Sequence, residues 1–237
     1  GAFSQVPISQ GLVDQLQANL VKSHAVGCGE PLPEDSTRGM LLLRANALCQ
    51  GHSGIRPQVV ELLVDMLNAG VHPVIPEQGS LGASGDLAPL AHMALVLMGG
   101  GEAFYEEVRM PGGKALAAAG LKCVQLKAKE GLALINGTQM MGAVGALALA
   151  DTFRAARLAD ITASLSLEAL QGLSAAFDPR IHALRPHPGQ ALVAQNILDL
   201  TKGSELMDRA EPRRVQDAYS LRCIPQVHGA ARDALRH

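Results

Sequence analysis

The segment Gly79-Ser80-Leu81-Gly82-Ala83-Ser84-Gly85-Asp86-Leu87-Ala88-Pro89 sets three glycines and an Ala-Ser-Gly triplet directly before a helix start. Glycine permits close backbone approaches that a Cβ forbids, so this density of glycine predicts tight geometry beside something closely packed. Attack of the Gly85 nitrogen on the Ala83 carbonyl carbon, with one water lost there and one from the Ser84 side chain, would give a five-membered imidazolone bearing an exocyclic methylene. Such a ring is an electrophile, which no unmodified side chain supplies. Pro89 suits a first helical turn, so the helix expected over Leu87–Met98 would hold the ring at its positive end, where developing negative charge is favoured. The same residues also fit a glycine-rich connection capped by Asp86 or Ser84.

Other polar residues have more than one reading. His24, after Ser23 near a helix end, fits a satisfied structural histidine or one favoured by the helix dipole better than a catalytic one. Asn136 before Gly137 reads by itself as a cap or a turn. Gln216, Tyr219 and Arg222 recur every three residues, which predicts one helix face, either solvated or lining a site. Arginine suits carboxylate because its guanidinium donates in a bidentate fork. His24, His52, His72, His92 and His182 form no convincing metal-ligand spacing. Gly99-Gly100-Gly101 lacks a Walker lysine or a dinucleotide fingerprint.

The elements that must position these residues read as helices. Aromatic residues make up 3% of the 237-residue chain, and Ala, Leu and Val carry most of its apolar content. That mixture favours close-packed helices over sheets. Helices are expected from Ser9 to about Val26, Glu34 to Gln50, Pro57 to about Ala69, Pro188 to about Leu200, and from near Pro212. The region 102–114 reads as a surface excursion. No proline interrupts Thr138 to about Gln171, which predicts one helix of unusual length. Its apolar start, Gly131 to Ala150, contains Asn136, Thr138 and Gln139, so a buried helix of a soluble bundle is expected rather than a membrane span.

With 20 basic and 22 acidic residues, the net charge of -2 offers no electrostatic reason to expect nucleic acid. Four scattered cysteines, Cys28, Cys49, Cys123 and Cys223, suggest neither zinc nor a disulfide framework, and a cytoplasmic location is expected. The opening Gly-Ala-Phe-Ser-Gln-Val does not read as a signal peptide.

Ala83-Ser84-Gly85, with a match running from Gly82 to Leu90 and on through Ala91-His92-Met93, resembles the signature of the ammonia-lyase and aminomutase family. In that family the triplet cyclises by itself into methylidene-imidazolone (MIO). The resemblance covers nearly the whole chain. It implies a mainly α fold: a long-helix bundle fragment of the ammonia-lyase/fumarase-like superfamily, with an N-terminal MIO-bearing domain over 1–130 and the start of the central bundle over 131–237. Leu16 to Gly27 is similar to the segment lining the substrate side-chain pocket, where a Ser-His pair, here Ser23-His24, goes with members acting on histidine. Leu134-Ile135-Asn136-Gly137-Thr138 places Asn136 beside the ring. Gln216 to Gln226 implies that Arg222 clamps the substrate carboxylate, Tyr219 lies near the ring and Gln216 orients the substrate; His228 is left as structural.

The implied reaction is elimination of ammonia from L-histidine to give trans-urocanate, with MIO as the prosthetic group and no metal or diffusible cofactor. A homotetramer is implied, with no membrane or nucleic-acid partner. Gly1 resembles the last glycine of a Tyr-Gly-x-x-Thr-Gly-Phe-Gly segment, and further family site residues would follow His237, so weak turnover is expected of these 237 residues alone. The alternatives are a phenylalanine or tyrosine ammonia-lyase or aminomutase, and a structural helical oligomer without catalysis.

Overall fold

In the computed structural model, which describes residues 10–209 and 214–236, helices carry most of the chain. The expected helix start at Ser9 and the one near Pro212 lie outside the described residues. Packing separates two units, Gly1–Leu147 and Ala148–His237.

The first unit contains α1 (Val13–His24), α2 (Glu34–Cys49), α3 (Pro57–Ala69), α4 (Leu87–Leu97), α5 (Gly112–Ala118) and α6 (Glu130–Ile135). Proline at the first position opens α3, and Gly70 in the left-handed region closes it. Val59, Leu62, Leu63 and Met66 give α3 a single buried face. Met40 and Leu41 of α2, Leu90 and Met93 of α4, and Leu134 and Ile135 of α6 join that core. Helices α1, α4 and α6 pack on one another. The unit therefore brings together the C-terminal residues of α1, the helix that follows the triplet, and the helix that ends at Asn136.

Five short strands also occur: β1 (Cys28–Pro31), β2 (His72–Pro73), β3 (Pro76–Gln78), β4 (Glu102–Tyr105) and β5 (Val108–Pro111). β1 pairs antiparallel with β3, and β4 lies between β2 and β5. The region expected as a surface excursion is thus a hairpin followed by α5. Strands of two to four residues are too short to display a period-two pattern, and the prolines in β2 and β3 obscure them further.

The long helix α7 runs from Gln139 to Ala169, 31 residues, close to the expected span. Its first turns pack into the first unit: a Cβ on Gly39 of α2 would stand 2.9 Å from the Ala143 Cβ. This is why the packing units divide after Leu147, whereas the sequence suggested a division at 130/131. Glu130–Ala169 is long and apolar enough to cross a membrane by length and composition, and only 22% of its most apolar window is buried. Along α7, Met141, Val144, Leu149, Phe153, Leu158, Ile161 and Leu165 are exposed, so within this chain it is not the buried helix expected from sequence.

The second unit adds α8 (Pro179–Ala183), α9 (Pro188–Leu200), α10 (Tyr219–Arg222) and α11 (Ile224–Leu235). Leu167, Phe177, Val193, Ile197 and Ile224 form its core. Helices α9 and α11 cross at a pair of glycines, where a Cβ on Gly229 would lie 2.4 Å from the Gln190 nitrogen.

Candidate active site

Ala83 and Ser84 stand exposed in an irregular loop, and Gly85 is half-buried at its end. Gly85 adopts a φ of +97°, and a Cβ there would lie 2.4 Å from the Gly137 carbonyl oxygen. Only glycine meets both conditions. Asp86, fully buried, ties down the far side of the loop. Its N–H donates to the Gly137 carbonyl (2.7 Å), the Ser80 hydroxyl donates to Oδ1 (2.7 Å), and the Met141 N–H in the first turn of α7 donates to Oδ2 (3.0 Å). Asp86 occupies the N-cap position of α4, as the sequence allowed, but its side chain makes no capping hydrogen bond there. The carboxylate crosses to the start of α7 instead, a role that sequence reasoning missed because the partner is 55 residues away. A cavity of about 490 Å³ borders the loop, lined by Ser80, Leu81, Gly82, Met140, Met141 and Val144 among others.

The end of α1 closes on the loop from another direction. A Cβ on Gly79 would stand 3.2 Å from the Gly27 Cα. The Gly27 N–H donates to His92 Nε2 of α4 at 3.0 Å. That bond requires a neutral His92, and burial pushes its pKa below the ordinary imidazole value. Three residues before Gly27, His24 Nδ1 lies 2.9 Å from the Leu20 carbonyl and 3.1 Å from the Ser23 hydroxyl. A carbonyl only accepts, so Nδ1 of the half-buried ring donates to it. Ser23 also borders a cavity of about 460 Å³ between α1 and α6, with Leu16, Leu20, Lys129 and Leu132.

Asn136 is the exposed residue that ends α6. Helix α6 is fixed at its other end by Glu130, 1% exposed, which accepts from Arg56 Nε (2.7 Å), Arg56 Nη2 (2.8 Å) and the backbone N–H groups of Arg56 and Lys127. Burial opposes ionisation, but these donors together hold the Glu130 carboxyl below its usual range. Gln139, the first residue of α7, accepts from Arg44 Nη1 of α2 at 2.8 Å.

Gln216, Tyr219 and Arg222 belong to the second unit. They do not share one helix face as the spacing predicted: Gln216 precedes α10, and only Tyr219 and Arg222 lie on it. The cause is Asp217, whose buried carboxylate accepts from the Leu173 N–H (2.7 Å) and pairs with Arg214 (2.6 Å), leaving Ala218 extended. Arg222 lies over the Tyr219 ring at 4.9 Å, a cation–π contact. The Arg222 Nε is buried without a partner among the described residues. His228 donates through Nδ1 to Asp160 at 2.9 Å; Asp160, 1% exposed, also holds Asn196 and Arg232.

A helical scaffold with its glycine-serine loop held between α4, α6 and α7 defines the ammonia-lyase and aminomutase class. The chain belongs to the aromatic amino acid lyase family, whose family model matches residues 1–237. It is similar to the histidine ammonia-lyase of Alkaliphilus metalliredigens, 58% identical over all 237 residues, which span 47% of that relative. Among solved structures, it is similar to histidine ammonia-lyase from Trypanosoma cruzi at a TM-score of 0.87 and 42% identity, covering 98% of this chain and 43% of that one. The Pantoea agglomerans phenylalanine aminomutase superposes with a TM-score of 0.92 at 35% identity, covering 100% and 49%. The chain thus spans about half the length of these relatives.

Proposed function

We propose that the chain contributes the electrophile-bearing loop and part of the substrate pocket of an ammonia-lyase that converts L-histidine to trans-urocanate. The observation that carries the proposal is the loop itself: Gly85 sits at a φ that only glycine adopts readily, against Gly137, with Asp86 anchored on both sides. The residues present fit an MIO group formed from Ala83, Ser84 and Gly85, because the Gly137 backbone presses on Gly85 where no Cβ could stand and holds the triplet in a tight bend. When present, MIO supplies an electrophilic methylene that activates the substrate amino group as a leaving group.

The other roles belong to the chain's own side chains. The His24 Nε2 lone pair accepts from the substrate imidazole N–H, and Ser23 supports that ring, which favours histidine over a purely aromatic side chain. Asn136 fixes the bound amino acid beside the loop. Arg222, carrying an unpartnered buried Nε, would take the substrate carboxylate, with Tyr219 assigned to the reacting atoms and Gln216 to orienting the substrate, as the family resemblance implies. No described residue is assigned as the base that removes the β-proton. A cytoplasmic location accords with four free cysteines. A homotetramer that buries α7 in a central bundle accords with its exposed apolar residues, and we retain the 131–237 segment as the start of that bundle.

The test is urocanate absorbance after addition of L-histidine, for this chain and for a chimera in which residues 1–237 replace the matching part of the Alkaliphilus enzyme. The chimera is expected to turn over histidine, and His24→Leu to raise its KM about tenfold or more while narrowing the preference over phenylalanine. A chimera active on phenylalanine or tyrosine but not histidine would replace the substrate assignment. The fold does not separate these alternatives, since an aminomutase superposes as well as a histidine enzyme does.

A further inference from the structure

Arg44 occupies a core position of α2. Met40, Leu41, Ala45 and Leu48 share its buried face, and Arg44 itself is 4% exposed. No carboxylate pairs with its guanidinium among the described residues, and Nε has no partner. Burial without a counter-charge pushes its pKa below the ordinary arginine value. As core packing this is costly, because a methionine would fill the space without desolvating a charge.

What the guanidinium supplies is a bracket. Nη2 donates to the Ala133 carbonyl, three residues before Asn136, and Nη1 donates to the Gln139 side chain, three residues after it (2.8 Å). The head lies against the turn between them: a Cβ on Gly137 would meet Arg44 Nη1 at 2.2 Å and Gln139 Oε1 at 2.1 Å. The carbonyl of that same Gly137 accepts the Asp86 N–H and forms the wall against Gly85. An unbroken series of contacts therefore runs from a buried cation through Gly137 to the last residue of the triplet.

We infer that Arg44 is a positioning residue of the active site, holding the Asn136–Gly137–Thr138 turn where Gly85 must be compressed for cyclisation and where Asn136 must meet the substrate. The inference rests on the proposed ammonia-lyase reading. Ring closure needs the Gly85 nitrogen kept near the Ala83 carbonyl, and a wall that shifts by an ångström releases it.

The test compares wild type with Arg44→Met, Arg44→Lys and Leu48→Ala, each purified as the chimera with the Alkaliphilus enzyme. Leu48→Ala removes core volume from the same buried face of α2, one turn beyond Arg44, without removing either of the hydrogen bonds to Ala133 and Gln139. Three quantities are read: the mass of the peptide containing residues 83–85, the melting temperature, and kcat and KM per dehydrated site. Arg44→Met is expected to leave a substantial fraction of the peptide undehydrated and to lower kcat per dehydrated site by about ten- to a hundredfold, with KM for histidine changed by less than about threefold. Arg44→Lys should recover part of both. Leu48→Ala should melt earlier yet dehydrate fully and keep the wild-type kcat. Full dehydration with unchanged kcat in Arg44→Met, or an equal dehydration defect in Leu48→Ala, would overturn the inference while leaving the lyase reading intact. An undehydrated wild type would bring down both.

Discussion

At the scale of single residues, the site depends on atoms that are absent as much as on those present. Gly85→Ala should push the loop off the Gly137 carbonyl, abolish dehydration of the triplet and cost about 1–3 kcal/mol of stability, measurable by peptide mass and thermal melting. Ser84→Ala should also abolish dehydration, yet leave the melting temperature nearly unchanged, because Ser84 is exposed. A matching loss of stability in both variants would show that the loop is a structural staple rather than a reactive one. Histidine ionisation adds a pH signature. Burial holds His72 and His92 below the imidazole value of about 6.5 that they regain on unfolding. The unfolded chain therefore binds more protons just below that pH, so stability present at neutral pH is lost as pH falls through about 6.5 toward the folded values. Melts between about pH 8 and pH 5 should show this decline, and His92→Asn should flatten part of it, since protonation of His92 removes the acceptor for Gly27.

At the scale of elements, the short helix α6 matters out of proportion to its length, because it ends at the residue meant to meet substrate. Glu130→Ala should release its N-terminal end, leave Arg56 without its carboxylate and cost about 2–3 kcal/mol, a loss visible as a lowered denaturation midpoint; Arg56 is partly exposed, which keeps the figure below that of a fully buried pair. A change within about 0.5 kcal/mol would show that α6 is held by packing alone. Much of this arrangement was legible beforehand. Pro57, Gly70 and the apolar face of α3 marked that helix, and a proline-free stretch marked α7. The triplet was conspicuous because its residues are consecutive. The clamps were not: Asp86 reaches Met141, Arg44 reaches Gln139 and Asp217 reaches Leu173, pairings set by tertiary approach rather than local spacing. Arg44 did leave a trace, a charge at a core position of the α2 pattern. The short strands and the break at Ala218 left none, because two to four residues show no period and the break goes with tertiary contacts of the buried Asp217 carboxylate.

At the scale of the whole molecule, α7 presents Leu149, Phe153, Leu158, Ile161 and Leu165 to solvent within this chain, an apolar exposure that calls for a partner. Light scattering should report an oligomer, and charged substitutions at Leu158 and Leu165 should shift it toward smaller species; a well-behaved monomer would contradict the proposed bundle. The parts invoked for cyclisation, the loop, its glycine wall and its carboxylate anchor, all lie within the first unit. On the proposed reading this unit compresses Ala83-Ser84-Gly85 into an electrophile. The most direct measurement is the mass of the proteolytic peptide spanning residues 83–85, with Ser84→Ala alongside. The wild-type peptide is expected to be lighter by two water molecules, and the Ser84→Ala peptide to lack that pair of losses. A wild-type peptide at its full unmodified mass, from folded protein that still releases ammonia from histidine, would contradict that reading.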